Sequence, residues 1–83
     1  MKLLYFAWVR EQIGVAEEEI ILPENISTVD DLLTWLPLQS PGHATALSDR
    51  NRLRIAVNQT YVQAAHTIQN SDEVAIFPPV TGG

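Results

Sequence analysis

The order of apolar and polar residues divides the chain into short segments, several of which predict β-strands. Lys2 to Val9 is apolar on both faces and bounded by charges, which predicts a central, buried strand over this range. Arg10 to Gly14 is predicted to be a connection that ends in a glycine turn or cap. Glu17 to Leu22 predicts a second strand, whose acidic start is typical of a solvated sheet edge and which Pro23 ends.

One helix is predicted after this strand. An apolar stripe at positions i, i+3, i+4 and i+7 is formed by Val29, Leu32, Leu33 and Leu36. Ser27 or Thr28 can cap the first turn, and Asp30 and Asp31 lie where the helix dipole favours acids. Pro37 is expected to end this helix.

The stretch Pro37 to Asn51 has the least regular pattern. Pro41-Gly42 is typical of a turn, and Ala44 to Leu47 predicts a short second helix. We expect the greatest mobility of the chain in this stretch.

The second half of the chain predicts three further strands, at Arg52–Val57, Tyr61–Val62 and Glu73–Phe77. In the last of these, alternation places Val74 and Ile76 on one face and Phe77 on the other. The element order predicts an α+β domain over residues 1–77, a mixed sheet of about five strands with one main helix on one face. Residues 78–83 are expected to form an extended C-terminal tail.

Composition narrows the function classes. With 83 residues there is room for one domain, and the 46% of hydrophobic residues excludes intrinsic disorder. A net charge of -5 disfavours nucleic acid as a partner. The chain has no Cys, and its two histidines, His43 and His66, are predicted to be loop residues that form no metal site. No apolar run reaches the length of a membrane span, and we expect a cytoplasmic protein.

The C-terminal segment has the most informative composition. Pro78-Pro79 favours an extended path, and Val80 and Thr81 continue an apolar approach that is unusual for an idle, polar tail. Gly82-Gly83 has no side chains, so this end could pass through a narrow channel and present only its carboxylate. The alternative is a passive tail, since chain ends are often frayed.

A carboxylate has to be activated before it can take part in acyl transfer. At neutral pH a terminal carboxyl is ionised, because its ordinary pKa is about 3.3–3.7. A mixed anhydride with AMP would make it electrophilic. An amine nucleophile would then make the domain a protein tag, whereas a sulfur donor would make it a sulfur carrier.

Three blocks carry a resemblance to a known family. They are Phe6–Glu11, Val57–Thr60 and Asp72–Gly83, and the last is the most specific. Over essentially its whole length the chain resembles the small, sulfur-carrier subunits of molybdopterin synthase (the MoaD family), within the ubiquitin-like β-grasp superfamily. The resemblance implies a β-grasp fold, in agreement with the element order.

The resemblance also implies a function. Gly83 would be adenylated by an activating enzyme that uses ATP and magnesium, and then converted to a thiocarboxylate by a sulfur donor. The sulfur would pass to cyclic pyranopterin monophosphate in the large synthase subunit, within a heterotetramer of two large and two small subunits. This chain would bind no cofactor itself, would contact neither nucleic acid nor membrane, and would not be catalytic alone.

Matching positions of the family suggest which residues meet the partner. The tail inserted into the large subunit would consist of Pro78, Pro79, Val80, Thr81 and Gly82. The partner patch on the domain would consist of Phe6, Arg10, Tyr61 and Phe77, which are of residue types enriched at interfaces. Ordinary core packing is the alternative for Phe6 and Tyr61.

Three other functions stay open from the sequence. One is a sulfur carrier for another pathway, such as the thiamine type, although the Phe-Pro-Pro-Val-Thr stretch favours the molybdopterin branch. Another is a ubiquitin-like modifier that forms amides with lysines of other proteins. The third is a plain β-grasp binding module with an incidental tail.

Overall fold

The computed structural model describes residues 1–79. The strands are β1 (Lys2–Tyr5), β2 (Glu17–Glu19), β3 (Arg54–Val57), β4 (Thr60–Tyr61) and β5 (Glu73–Phe77). The α-helices are α1 (Ala7–Ile13), α2 (Val29–Trp35) and α3 (Pro41–Ala46), and two 3-10 turns lie at Leu36–Leu38 and Arg50–Arg52.

The strands form one mixed sheet in the order β2-β1-β5-β3-β4. β5 occupies the centre, parallel to β1 and antiparallel to β3, while β2 and β4 form the antiparallel edges. This strand order, with α2 connecting the two halves of the sheet, is that of a β-grasp domain. The predicted α+β class and five-stranded sheet are confirmed.

The core lies between the inner face of the sheet and the helices. Alternation along the strands turns Leu3, Tyr5, Val74 and Ile76 inward, and each is at most 1% exposed. The predicted apolar stripe of α2 packs against them and is buried along its length. Thr28 caps this helix and forms a reciprocal capping box with Asp31.

The first predicted strand is too long. β1 ends at Tyr5, and Ala7 to Val9 of the apolar run form the first turn of α1. The helix then continues to Ile13, through the residues for which a connection had been expected. The chain turns at Ala7, whose φ of 53° lies in the left-handed region. Val9 is fully buried within α1. The run is therefore apolar throughout because both the strand β1 and the start of the helix α1 are buried in the core. Gly14 does cap α1, with a φ of 99°.

The irregular stretch after Pro37 is largely helical. α3 begins at Pro41, earlier than the predicted helix at Ala44, because Ser40 caps it and proline suits the first helical turn. Gly42 allows α3 to lie close to α1, since a Cβ there would lie 2.6 Å from the Gln12 carbonyl oxygen. The mobility of this stretch stays a prediction.

Several strand ends also differ from the prediction. β2 stops at Glu19, well before Leu22. β3 begins at Arg54 because the preceding arginines form a 3-10 turn. Among residues 1–79, no helix is long and apolar enough to cross a membrane.

Candidate functional site

The outer face of the sheet is the surface that the helices leave open. The strand register places Leu4, Ala75 and Ala56 side by side on this face, with Tyr61 at its edge on β4. Phe77 lies on the same face, opposite Arg54, as the alternation in β5 predicts. We call this surface the open face.

Three of the four residues predicted for the partner patch lie around the end of β5, namely Phe6, Tyr61 and Phe77. The Phe77 and Tyr61 rings pack at 5.5 Å between centroids, and Tyr61 is 72% exposed. Phe6 is 47% exposed, and its N–H donates to the Ile76 carbonyl oxygen at 3.3 Å, beside Phe77. Arg10 is exposed one helical turn beyond Phe6. Core packing is therefore excluded as the main role of Phe6 and Tyr61.

The predicted tail begins at the end of the central strand. Pro78 and Pro79 follow β5, lie outside the strand ladder and are half-buried. Four predicted tail residues lie outside the described residues, namely Val80, Thr81, Gly82 and Gly83.

A partly buried polar cluster lies beneath the sheet edge, and sequence reasoning missed it. The Tyr5 hydroxyl donates to Glu18 Oε2 at 2.6 Å, and His43 Nε2 lies 2.7 Å from the same oxygen. Because a carboxylate only accepts hydrogen bonds, Nε2 carries a proton in this arrangement. His43 Nδ1 lies 2.6 Å from the Ser40 hydroxyl. The prediction that His43 is a loop residue is wrong, because it lies within α3 and is 8% exposed.

The electrostatics of this cluster keep the phenol of Tyr5 neutral. Burial, together with the hydrogen bond and the charge of Glu18, raises the pKa of Tyr5 far above its ordinary value. The alternation of side-chain direction along β2 could have predicted the contact between Glu18 and Tyr5. In a strand of three consecutive acids, the middle one faces the same way as Leu3, which is inward.

The arginines of the second half of the chain have separate environments. Arg50 pairs with Asp30 on α2, and the Arg52 guanidinium lies 4.7 Å from the centroid of a Trp8 ring. Arg54 alone of the three lies at an open-face position of a strand. Within residues 1–79, no group of three or more histidines and carboxylates is placed to hold a metal ion.

Comparison with known proteins gives a consistent result over the whole chain. The profile described as "ThiS family" matches residues 3–83. The chain is 45% identical over 83 residues to the molybdopterin synthase sulfur carrier subunit of Escherichia coli (strain K12), covering 100% of this chain and 99% of that one. It is 35% identical over 88 residues to the Homo sapiens protein of that name, covering 100% and 93%.

Two solved structures have the same architecture. A Pyrococcus furiosus protein, provisionally assigned as molybdopterin converting factor subunit 1, superposes with a TM-score of 0.74 at 36% identity, covering 95% of each chain. Small archaeal modifier protein 1 of Haloferax volcanii superposes with a TM-score of 0.73 at 25% identity, covering 96% of this chain and 97% of that one. These likenesses confirm the ubiquitin-like β-grasp fold.

Proposed function

This chain belongs to the ThiS family, and we propose that it is a sulfur carrier in molybdopterin synthesis, acting as the small subunit of molybdopterin synthase. The observation that carries the proposal is the end-to-end match to relatives named for that role, 45% identical in one case. The relatives' names favour the molybdopterin pathway over a carrier of the thiamine type.

The chemistry takes place at the carboxylate of Gly83. An activating enzyme transfers AMP from magnesium-bound ATP to this carboxylate, and pyrophosphate leaves. Sulfide from a sulfur donor then attacks the acyl carbon, the bond to AMP breaks, and a thiocarboxylate forms. The thiocarboxylate sulfur bonds to cyclic pyranopterin monophosphate, and water then cleaves the acyl–sulfur bond and regenerates the carboxylate. Each carrier delivers one sulfur, so the product dithiolene requires two thiocarboxylated carriers.

The domain itself supplies binding rather than catalysis. Phe6, Tyr61 and Phe77 offer an exposed aromatic surface of the kind that anchors protein interfaces. Pro78 and Pro79 stiffen the chain where it leaves the sheet. The large subunit supplies the acid and base for the transfer step.

The partners follow from the same proposal. The large subunit receives residues 78–83 in a channel, and two large and two small subunits form the active heterotetramer. ATP and magnesium belong to the activating enzyme, and this chain binds no cofactor of its own. The chain works in the cytoplasm, where both enzymes meet it.

The direct test is the intact mass of the chain after incubation with ATP, the activating enzyme and a sulfur donor. We expect a gain equal to the replacement of one oxygen by one sulfur, lost again on adding the large subunit and the pyranopterin precursor. A chain without Gly82 and Gly83 should show no gain while still binding the large subunit. An unchanged mass in the intact chain would overturn the carrier role.

A variant with one added methyl group tests whether the tail is threaded through a channel. Gly83→Ala should fold normally and lose sulfur transfer, because the new Cβ obstructs the channel. Normal product formation by this variant would contradict threading.

A second candidate function is that of a protein modifier, which uses the same activation but ends in an amide bond. The structural likeness to small archaeal modifier protein 1 supports this second candidate. In the mass experiment it would appear as covalent adducts on lysines of other proteins, without transfer of sulfur to the precursor.

A further inference from the structure

The open face is acidic at the end where β5 begins. Lys2 stands there in register with Glu19 on one side and Glu73 on the other. Its Nζ pairs with Glu17 Oε2 at 3.2 Å. Three carboxylates therefore surround one ammonium group, and this end carries a net negative charge.

The opposite end of the open face, where β5 runs into Pro78, is basic and aromatic. Arg54 lies across from Phe77 in the register, and Arg10 follows Phe6 by one helical turn. The Arg54 guanidinium is held near the sheet, since Nη1 donates to the Leu53 carbonyl oxygen at 2.8 Å. Among the described residues, no carboxylate occupies the strand positions of this row.

Apolar side chains separate the two charged ends. Leu4, Ala75 and Ala56 cross the middle of the open face in one row, which ends at Glu17 on the edge strand β2. Glu73 and Phe77 are four residue steps apart along β5, which corresponds to about 13 Å at the usual rise of a strand. The sign of the surface charge thus reverses over about 13 Å along the direction in which the tail leaves the domain.

We propose that this charge gradient sets the direction in which the open face docks on a partner protein. The partner it fits has carboxylates beside the entrance to its tail channel and basic side chains about 13 Å further along. This inference rests on the proposed function, because it assigns the recognition chemistry of the surface from which the tail emerges.

The physical reason lies in the difference between apolar and charged contacts. Burial of the apolar middle row is non-directional and would accept the domain in either orientation along the strands. Reversed docking would place the three glutamates against the partner's carboxylates, and would point the tail away from the channel. Complementary charges fix the orientation in which the open face docks on the partner, and they raise the rate of productive encounters.

The overall charge strengthens this selection. A protein of net charge -5 is repelled by an acidic partner surface in most orientations. On the open face, the end with Arg54 and Arg10 is the part that can approach carboxylates favourably. Since the activating enzyme and the large subunit bind the same tail, both should carry acidic groups beside their tail channels.

A matched pair of variants tests the basic end. Arg54→Gln and Arg50→Gln each remove one positive charge, but Arg50 lies away from the open face, paired with Asp30. The probe is the large synthase subunit of the same organism, and the association rate constant is measured by stopped flow at low and high salt. Arg54→Gln should slow association about three- to tenfold at low salt and less at high salt, whereas Arg50→Gln should change it less than about twofold. Equal effects of the two variants on the association rate constant would overturn the inference that the charge gradient directs docking.

A charge swap tests direction without altering net charge. Arg54→Glu combined with Glu73→Arg inverts the gradient, and thermal unfolding checks that the double variant is folded. We expect binding to the large subunit to weaken at least about tenfold. Wild-type affinity in the double variant would overturn the inference while leaving the carrier function intact. If the unaltered chain does not bind the large subunit at all, the proposed function fails and this inference with it.

Discussion

Tyr5 is the residue where the core and the open face meet. Its ring is fully buried and packs edge-on against the His43 ring, with 6.1 Å between centroids. Its hydroxyl reaches Glu18 on the edge strand. The next residue, Phe6, already faces outward. The hydrogen bond to Glu18 therefore helps to fix the backbone from which the aromatic patch projects.

The raised pKa of Tyr5 predicts a loss of stability in alkali. In the unfolded chain a tyrosine ionises near pH 10, whereas burial and Glu18 keep Tyr5 protonated in the folded chain beyond that pH. Above about pH 10 the folded state binds more protons, so the free energy of unfolding decreases as pH rises. Urea unfolding between about pH 8 and 11 should show this decrease.

Two tyrosine variants separate this effect from general alkaline denaturation. Tyr5→Phe should have a shallower decrease, while Tyr61→Phe, at an exposed position, should keep that of the wild type. Part of the decrease remains in Tyr5→Phe, because the Glu17 carboxylate also raises the pKa of Lys2 and this pair is lost at high pH. Identical slopes for wild type and Tyr5→Phe would contradict the assignment.

Single residues in this cluster were difficult to predict, for a physical reason. Glu18 stands between two solvated acids, and only the strand phase shows that it faces inward. His43 follows Pro41-Gly42, a dipeptide typical of turns, and becomes buried because α3 packs on α1. Such contacts join residues distant in the chain, and local patterns do not report them.

At the scale of elements, α2 depends on its capping box. The Thr28 hydroxyl accepts a hydrogen bond from the Asp31 N–H at 3.1 Å, and the Asp31 carboxylate accepts from the Ser27 and Thr28 N–H groups. These bonds satisfy backbone donors that the first turn leaves without helical partners.

Removal of this cap gives a stability prediction. Thr28→Ala should lower the free energy of unfolding by about 1 kcal/mol. Thr45→Ala, at an exposed position of α3, is the matched control and should change it little. Chemical denaturation of both variants at neutral pH provides the measurement, and equal effects would argue against a role for the cap.

The contribution of the same capping box to the free energy of unfolding depends on pH in the acid range. The backbone hydrogen bond from Ser27 and the bonds from Thr28 hold the pKa of Asp31 below its ordinary value. Its contribution is therefore present above about pH 4 and is lost as pH falls through the lower, folded pKa. Thr28→Ala should lose less stability than wild type over that acid range.

Elements with strong local signals were predicted well. The bounds of β5 and the start and apolar stripe of α2 agree with the prediction, because alternation and capping act within a few residues. The prediction of a single strand from Lys2 to Val9 was wrong, because a buried strand followed by a buried helix gives the same unbroken apolar pattern as one long buried strand. The left-handed turn at Ala7 separates them, and alanine gives no local signal for such a turn.

At the scale of the whole molecule, two adjacent residues of β5 have different roles, one in folding and the other in binding the partner. Ile76 is fully buried against the helices, whereas Phe77 lies on the open face beside Tyr61. Ile76→Ala should lower the free energy of unfolding by about 2–5 kcal/mol. Phe77→Ala should destabilise the domain much less and weaken binding to the large subunit.

The measurements are calorimetric titration with the large subunit and thermal unfolding of each free variant. Affinity per folded molecule should fall for Phe77→Ala and stay near that of the wild type for Ile76→Ala. Unchanged affinity in Phe77→Ala would remove this side chain from the interface.

The parallel pairing of β1 with β5 joins the first strand of the sheet to the last. Such distant pairing makes folding depend on non-local contacts and slows it relative to a helical bundle. During synthesis, β1 and β3 have no central neighbour until β5 emerges from the ribosome. A prematurely terminated chain therefore lacks the completed sheet and the Phe77 surface. Under the proposed function, an activating enzyme that binds this surface would act only on folded chains that contain β5, and shorter translation fragments would not be converted to the thiocarboxylate.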